Sequence, residues 1–150
     1  MIERLTRTAA RNIFYGGSLF FLVIFGALTA ASHIYIVRHS TDEKTLTASV
    51  SHGKRVWERH ACINCHTLLG EGAYFAPELG NVWVRYGGRD DPAGAREAFK
   101  GWMQAQPSGV PGRRQMPQFH LTDQELDDLA SFFEWTSRIN TQGWPPNVAG

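Results

Sequence analysis

Five consecutive residues, Cys62-Ile63-Asn64-Cys65-His66, constrain this 150-residue chain more than any other stretch. They contain its only two cysteines, three positions apart, with an imidazole directly after the second. Two thiols so spaced on a helical turn reach the two vinyl groups of one haem, and the adjoining histidine meets the iron as proximal ligand. With no third cysteine available, the run reads as a c-type haem attachment site at Cys62, Cys65 and His66.

Three plainer readings compete with it. A thioredoxin-like redox pair uses Cys-x-x-Cys but needs a preceding strand and a βαβ pattern, and the flanks here are helical and Gly-rich. A zinc site would have to take His60, Cys62, Cys65 and His66 within seven residues, whereas structural zinc draws ligands from two separated pairs. A disulfide across so short a loop leaves His66 without a purpose.

Charge divides the chain. Residues 1–37 carry Arg4, Arg7 and Arg11 against Glu3, while from Arg38 onward twelve Lys and Arg face thirteen Asp and Glu. The overall balance of +1 gives no reason to expect nucleic acid as a partner. Ile13 to Val37 holds no Asp, Glu, Lys or Arg. Twenty-five helical residues span roughly 37 Å at about 1.5 Å each, enough for a hydrocarbon core of about 30 Å. Tyr15 and Tyr35 fall near its ends, and the preceding arginines place the N-terminus in the cytoplasm. A cleaved signal peptide is the rival, with small residues at Thr29-Ala30-Ala31. The apolar run exceeds the ~7–15 residues of a signal core, so an uncleaved anchor is expected.

The expected layout is a cytoplasmic N-terminus (1–12), a transmembrane anchor (13–37), a linker (38–44), a haem domain (45–140) and an extended tail (141–150). The fold expected for the domain is all-α. Leu46, Val50, Gly53 and Trp57 share a helical face, and Gly53 on that face predicts a second helix crossing closely. Residues 67–76 read as an irregular loop over the haem. Pro77 can open a short helix carrying Leu79, Val82, Trp83 and Tyr86. Asp91-Pro92 is an N-cap followed by proline, leading into Ala95, Ala98, Phe99, Trp102 and Met103. Pro107 to Pro117 is a loop. A capping box, Thr122 to Glu125, starts the last helix, with Leu126, Leu129, Phe133 and Ile139 facing inward. No segment reads as a strand.

The sixth iron ligand decides between catalysis and electron transfer. Met103 lies on an apolar helix face and reads as core filling. Met116 lies in a constrained loop just before the last helix and is the favoured ligand, with His120 as a bis-histidine alternative. A methionine ligand raises the potential and fills the coordination sphere, which suits electron transfer. Arg113 and Arg114, close to Met116, are expected to bind carboxylates, either haem propionates or acidic groups of a partner. The alternative for them is a solvated loop.

His66-Thr67-Leu68-Leu69-Gly70-Glu71-Gly72-Ala73-Tyr74-Phe75-Ala76-Pro77-Glu78-Leu79-Gly80-Asn81, Val110 to His120 and Trp144-Pro145-Pro146-Asn147 together resemble the small cytochrome c subunit of bacterial cytochrome c-dependent nitric oxide reductase. The resemblance covers nearly the whole chain. It implies a class I cytochrome c-type domain in the periplasm behind one transmembrane helix, carrying one covalent haem c. It implies a large catalytic membrane subunit with haem b, haem b3 and non-haem iron that reduces two NO to N2O. A soluble cytochrome c or cupredoxin would be the electron donor, and this chain alone would hold no catalytic centre. The likeness to single-domain cytochromes c implies that the Pro77 carbonyl orients His66. The family's interfacial Ca2+ would fall at Gly72 and Tyr74, where a Gly-rich loop offers backbone oxygens. Two other functions compete: a free membrane-anchored electron-shuttle cytochrome c, and a haem-based sensor or assembly factor.

Overall fold

The computed structural model describes residues 5–144, in two compact units that divide between Ser40 and Thr41. The first unit is a single helix, α1 (Arg7–Tyr35), whose N-cap Thr6 accepts from the Ala9 N–H at 3.2 Å, followed by a π turn at Ile36–Ser40. No residue of α1 is buried, and Leu19, Phe20, Phe21 and Leu22 are all about 60% exposed or more. Helical structure starts before the apolar run and continues through residues 38–40, past the expected start of the linker. The 34 residues Arg7–Ser40 are long and apolar enough to cross a membrane.

The second unit is mostly helical. A 3-10 turn (Glu43–Thr45) leads into α2 (Ala48–Arg59), and a second such turn (Cys62–Asn64) carries the first cysteine. Then come a short hairpin, β1 (Thr67–Leu68) and β2 (Glu71–Gly72), and the helices α3 (Val82–Arg85), α4 (Pro92–Gln104) and α5 (Asp123–Thr136). Caps set the helix starts. Asp91 accepts from the Gly94 N–H at 2.9 Å with Pro92 in the first turn, and Thr122 and Glu125 form the reciprocal capping box.

Three expectations need correction. The loop at 67–76 contains an antiparallel pair, Thr67 with Gly72 and Leu68 with Glu71, too short to leave an alternating pattern. The helix expected from Pro77 is confined to Val82–Arg85, because the Pro77 carbonyl is bonded to His66 instead of starting a helical ladder. Leu46 precedes α2 and is 49% exposed, and Val56 is buried in its place.

The core forms where α2 crosses α5. A Cβ on Gly53 would lie 2.0 Å from the Asp128 carbonyl oxygen and 2.7 Å from the Phe132 Cβ, so glycine is required there. Val50, Val56 and Trp57 of α2 pack with Leu126, Leu129, Phe132 and Phe133 of α5. Asp128 is buried at the crossing, accepting from Ser49 Oγ at 2.5 Å and Gln124 Nε2 at 3.1 Å, with His52 Nδ1 at 3.6 Å. α4 adds Ala95, Phe99 and Met103 and is tied to α5 from outside: Arg96 to Asp127 and Glu134, Lys100 to Asp123 and Asp127. Of the expected tail, residues 145–150 lie outside the described residues.

Candidate functional site

α2 ends at His60, and Ala61 takes a left-handed φ of 51°, which turns the chain into the cysteine segment. The Cys65 and His66 N–H groups both donate to the Cys62 carbonyl, at 3.1 and 2.9 Å. That single turn puts both thiols and the imidazole within one short stretch of backbone. The hairpin behind it is pinned by Ala73 N–H to Ile63 O at 3.0 Å and Ala76 N–H to Cys65 O at 2.8 Å. Gly72, at φ 119°, passes so close that a Cβ would lie 2.3 Å from the His66 carbonyl oxygen. A glycine is obligatory at that point.

The turn faces a cleft in two lobes, of about 260 and 590 Å³, which share Cys62, His66, Pro77, Trp102 and Met116. The inner lobe reaches the core side chains Trp57, Val82, Phe99, Leu129 and Phe133, with Met103 among them. The two lobes together have the volume, and the inner one the apolar lining, of a cofactor site with a few placed polar groups. The outer lobe opens past Cys65, Phe75 and the loop before α5.

His66 is buried, with Nδ1 2.7 Å from the Pro77 carbonyl. A carbonyl only accepts, so Nδ1 carries the proton and Nε2 keeps its lone pair. Burial holds the ring below its ordinary pKa; the Pro77 bond opposes that and the Arg85 charge adds to it. The imidazole is therefore neutral, the form a metal requires. Burial also pushes the Cys62 thiol up to about 11, with the Cys62 backbone opposing and Cys65 adding. The attacking thiol of a redox pair needs a depressed pKa, so Cys62 is ill suited to that role. Two thiols and an imidazole on the wall of an apolar cleft match the donor set of a covalent haem.

Met116 lines both lobes, and its loop is braced by amide side chains. Gln115 Nε2 donates to the Val110 and Arg113 carbonyls at 2.9 and 3.1 Å while its Oε1 accepts from Ser108 at 3.0 Å. Gln118 Nε2 reaches the Gln104 and Gln106 carbonyls at 2.9 and 3.0 Å. His120, in a left-handed conformation at φ 53°, lines neither lobe.

Arg113 and Arg114 both border the outer lobe. Arg114 donates to the Phe75 carbonyl at 2.6 Å, and its guanidinium lies 4.3 Å from the centre of the Phe75 ring. It thus clasps the post-haem loop to the methionine loop. Tyr74 is 75% exposed, apart from both lobes, while Gly72 packs against the cysteine turn. No group of three or more His, Cys, Asp or Glu side chains among the described residues is placed to hold a metal ion. Any Ca2+ at Gly72 and Tyr74 would need most of its six to eight oxygens from elsewhere.

One wall residue escaped the sequence reading, and a second, Trp102, was read only as part of an apolar helix face. Arg85 lines the inner lobe beside Tyr86 and donates to the Glu78 carbonyl at 2.9 Å. Desolvation lowers its pKa, against the raising effect of Glu78. The available signal was its spacing: Arg85 follows Val82 by three, which puts a cation on an apolar helix face. Trp102, 44% exposed, owes that exposure to its position on the cleft wall.

Known proteins match this sequence over its full length. The cytochrome c family matches residues 50–137. The chain is 62% identical to the nitric oxide reductase C-subunit of Paracoccus denitrificans over 150 residues, all of both chains. It is 58% identical to the C-subunit of the Halomonas halodenitrificans enzyme and 52% identical to that of Stutzerimonas stutzeri, again across all of both chains. With that identity and coverage, and a haem-type turn opening on an apolar cleft, the chain belongs to the cytochrome c family and, within it, to the C-subunits of nitric oxide reductase.

Proposed function

We propose that this chain is the electron-input subunit of a nitric oxide reductase, taking electrons from a soluble cytochrome c or cupredoxin and passing them to haem b of the large subunit. The observation that carries the reading is the shared cleft, whose wall includes Cys62, His66 and Met116 together. Haem c, when bound, supplies the one-electron site. Cys62 and Cys65 would hold it covalently, and His66 and Met116 would ligate its iron. Pro77 fixes the imidazole plane by accepting the Nδ1 proton, which makes Nε2 a stronger donor. Trp57, Phe99, Leu129 and Phe133 exclude water and so limit the solvent reorganisation that accompanies a change of charge. The large subunit, with its haem b3 and non-haem iron, performs the reduction of NO.

The helix Arg7–Ser40 anchors the chain in the bacterial cytoplasmic membrane, N-terminus in the cytoplasm and haem domain in the periplasm. The orientation rests on Arg4, Arg7 and Arg11 preceding a span with no charged residue. Arg113, bordering the outer lobe and without a side-chain partner among the described residues, would meet a carboxylate of haem or partner, whereas Arg114 meets one only by leaving Phe75. Gly72 and Tyr74 would offer backbone oxygens to a Ca2+, with the rest of its shell supplied by the large subunit.

The test is purification of the two-subunit enzyme carrying Cys62→Ser and Cys65→Ser. Turnover with the soluble donor is expected to be lost while the large subunit still binds NO. Full donor-driven turnover without covalent haem would refute the proposal.

A further inference from the structure

One buried acid stands apart from the cleft. Glu78 is 5% exposed and lines neither lobe. It directly follows Pro77, whose carbonyl holds His66. Its Oε1 accepts two backbone N–H groups, Leu69 at 2.9 Å and Gly80 at 2.8 Å. Its main-chain carbonyl accepts from Arg85 at 2.9 Å. The Leu79 N–H donates to the Thr67 carbonyl at 2.9 Å, so the segment after Pro77 is laced to the segment after His66. Gly80 makes room for the acid, since a Cβ there would lie 2.8 Å from Glu78 Oε1. The other carboxylate oxygen, Oε2, is buried with no hydrogen-bond partner among the described residues.

A buried carboxylate is costly unless its surroundings use it. Here the use is geometric and electrostatic together. The two N–H bonds fix the backbone on either side of the Pro77 carbonyl. The charge acts on Arg85, which lines the inner lobe.

We infer that Glu78 is the positioning residue of the axial histidine: its carboxylate clamps the Leu69 and Gly80 amides so that Pro77 holds His66 in one plane, and its negative charge offsets Arg85 at the cleft wall. This rests on the haem reading above. Glu78 touches no haem atom and acts through Pro77.

Glu78→Gln and Glu78→Ala, made in the full-length chain within its complex, separate the two roles. Glutamine keeps an oxygen for both amides and loses the charge; alanine loses both. The readouts are covalent haem content, the anisotropy of the low-spin ferric electron paramagnetic resonance signal, which reports the imidazole plane, and the midpoint potential. Glu78→Gln is expected to keep the parent signal and raise the potential, because the ferric state loses a compensating anion. Glu78→Ala is expected to change the signal while the haem stays attached. Parental signal and parental potential in both variants would overturn the inference. Should Glu78→Ala fail to accumulate, an unshifted potential in Glu78→Gln overturns it alone. A parent chain without a covalent haem signature would refute the haem reading itself, a result seen before any variant is made.

Discussion

Gly53→Ala isolates the helix crossing on which the domain is built. The added methyl carbon would lie 2.0 Å from the Asp128 carbonyl oxygen, 2.6 Å from its carbonyl carbon and 2.7 Å from the Phe132 Cβ. Two of these atoms are backbone of α5, so no side-chain rotation relieves the clash. α2 and α5 must move apart by more than 1 Å, roughly, to restore carbon contacts of about 3.5 Å. Separation loosens Val50 and Trp57 against Phe132 and Phe133 and stretches the Ser49–Asp128 bond. Overpacking of this kind costs about 3 kcal/mol at the upper end of the usual range. Alanine recovers about 1 kcal/mol over glycine in a helix interior. The net destabilisation is about 2 kcal/mol, or roughly 10 °C in Tm for a domain of this size. Circular dichroism of the haem-loaded chain during heat and guanidinium unfolding measures it. A variant as stable as the parent, or more so, would refute the tight crossing, because the clash would then cost no more than the gain in helix propensity.

Met116→Ala is expected to leave the haem covalently attached, abolish the long-wavelength sulfur–iron absorption band, lower the potential and admit CO to the reduced iron; retention of band and potential would transfer the ligand role to Met103. Changing Arg113 and Arg114 together to glutamine is expected to weaken subunit association and loosen the Phe75 clasp with a normal haem spectrum, and unchanged complex stability and turnover would return both to solvent. The third test concerns pH: the Thr122 N–H, then the Thr122 hydroxyl, hold the Glu125 carboxyl below its ordinary pKa. A depressed folded pKa stabilises above the unfolded value, about 4.3, and that stabilisation is lost as pH falls through the folded one. The stability gap between the parent and Glu125→Gln is therefore expected to be full at neutral pH and to close on acidification below about 4, read from unfolding midpoints across the pH series.

Features carried by local periodicity or chemistry were legible in the chain. The Asp91-Pro92 start, the Thr122–Glu125 box and the close approach at Gly53 each follow from residue types at fixed offsets. The cysteine turn was legible because its spacing is chemical. What stayed hidden is held by side chains reaching unrelated backbone. Glu78 bonds Leu69, Gln118 bonds Gln104 and Gln106, and Arg114 bonds Phe75; none of these pairings has a period. The hairpin at Thr67–Gly72 was hidden for a different reason: two residues per strand are too few to alternate. Arg85 was overlooked because a cation after Val84 looks like the exposed end of a short helix, when the cleft draws it inward.

The helices that meet at Gly53 are the first long helix and the last of the domain. A chain made from its N-terminus presents the Cys62–His66 turn well before residue 128 exists. Until α5 arrives, Trp57 lacks its Phe133 neighbour, and the inner wall of the cleft lacks Leu129 and Phe133. Contacts so distant in sequence form slowly, because loop closure must precede any gain from packing. The order of synthesis therefore presents the cysteine turn before the inner wall of its cleft has been built.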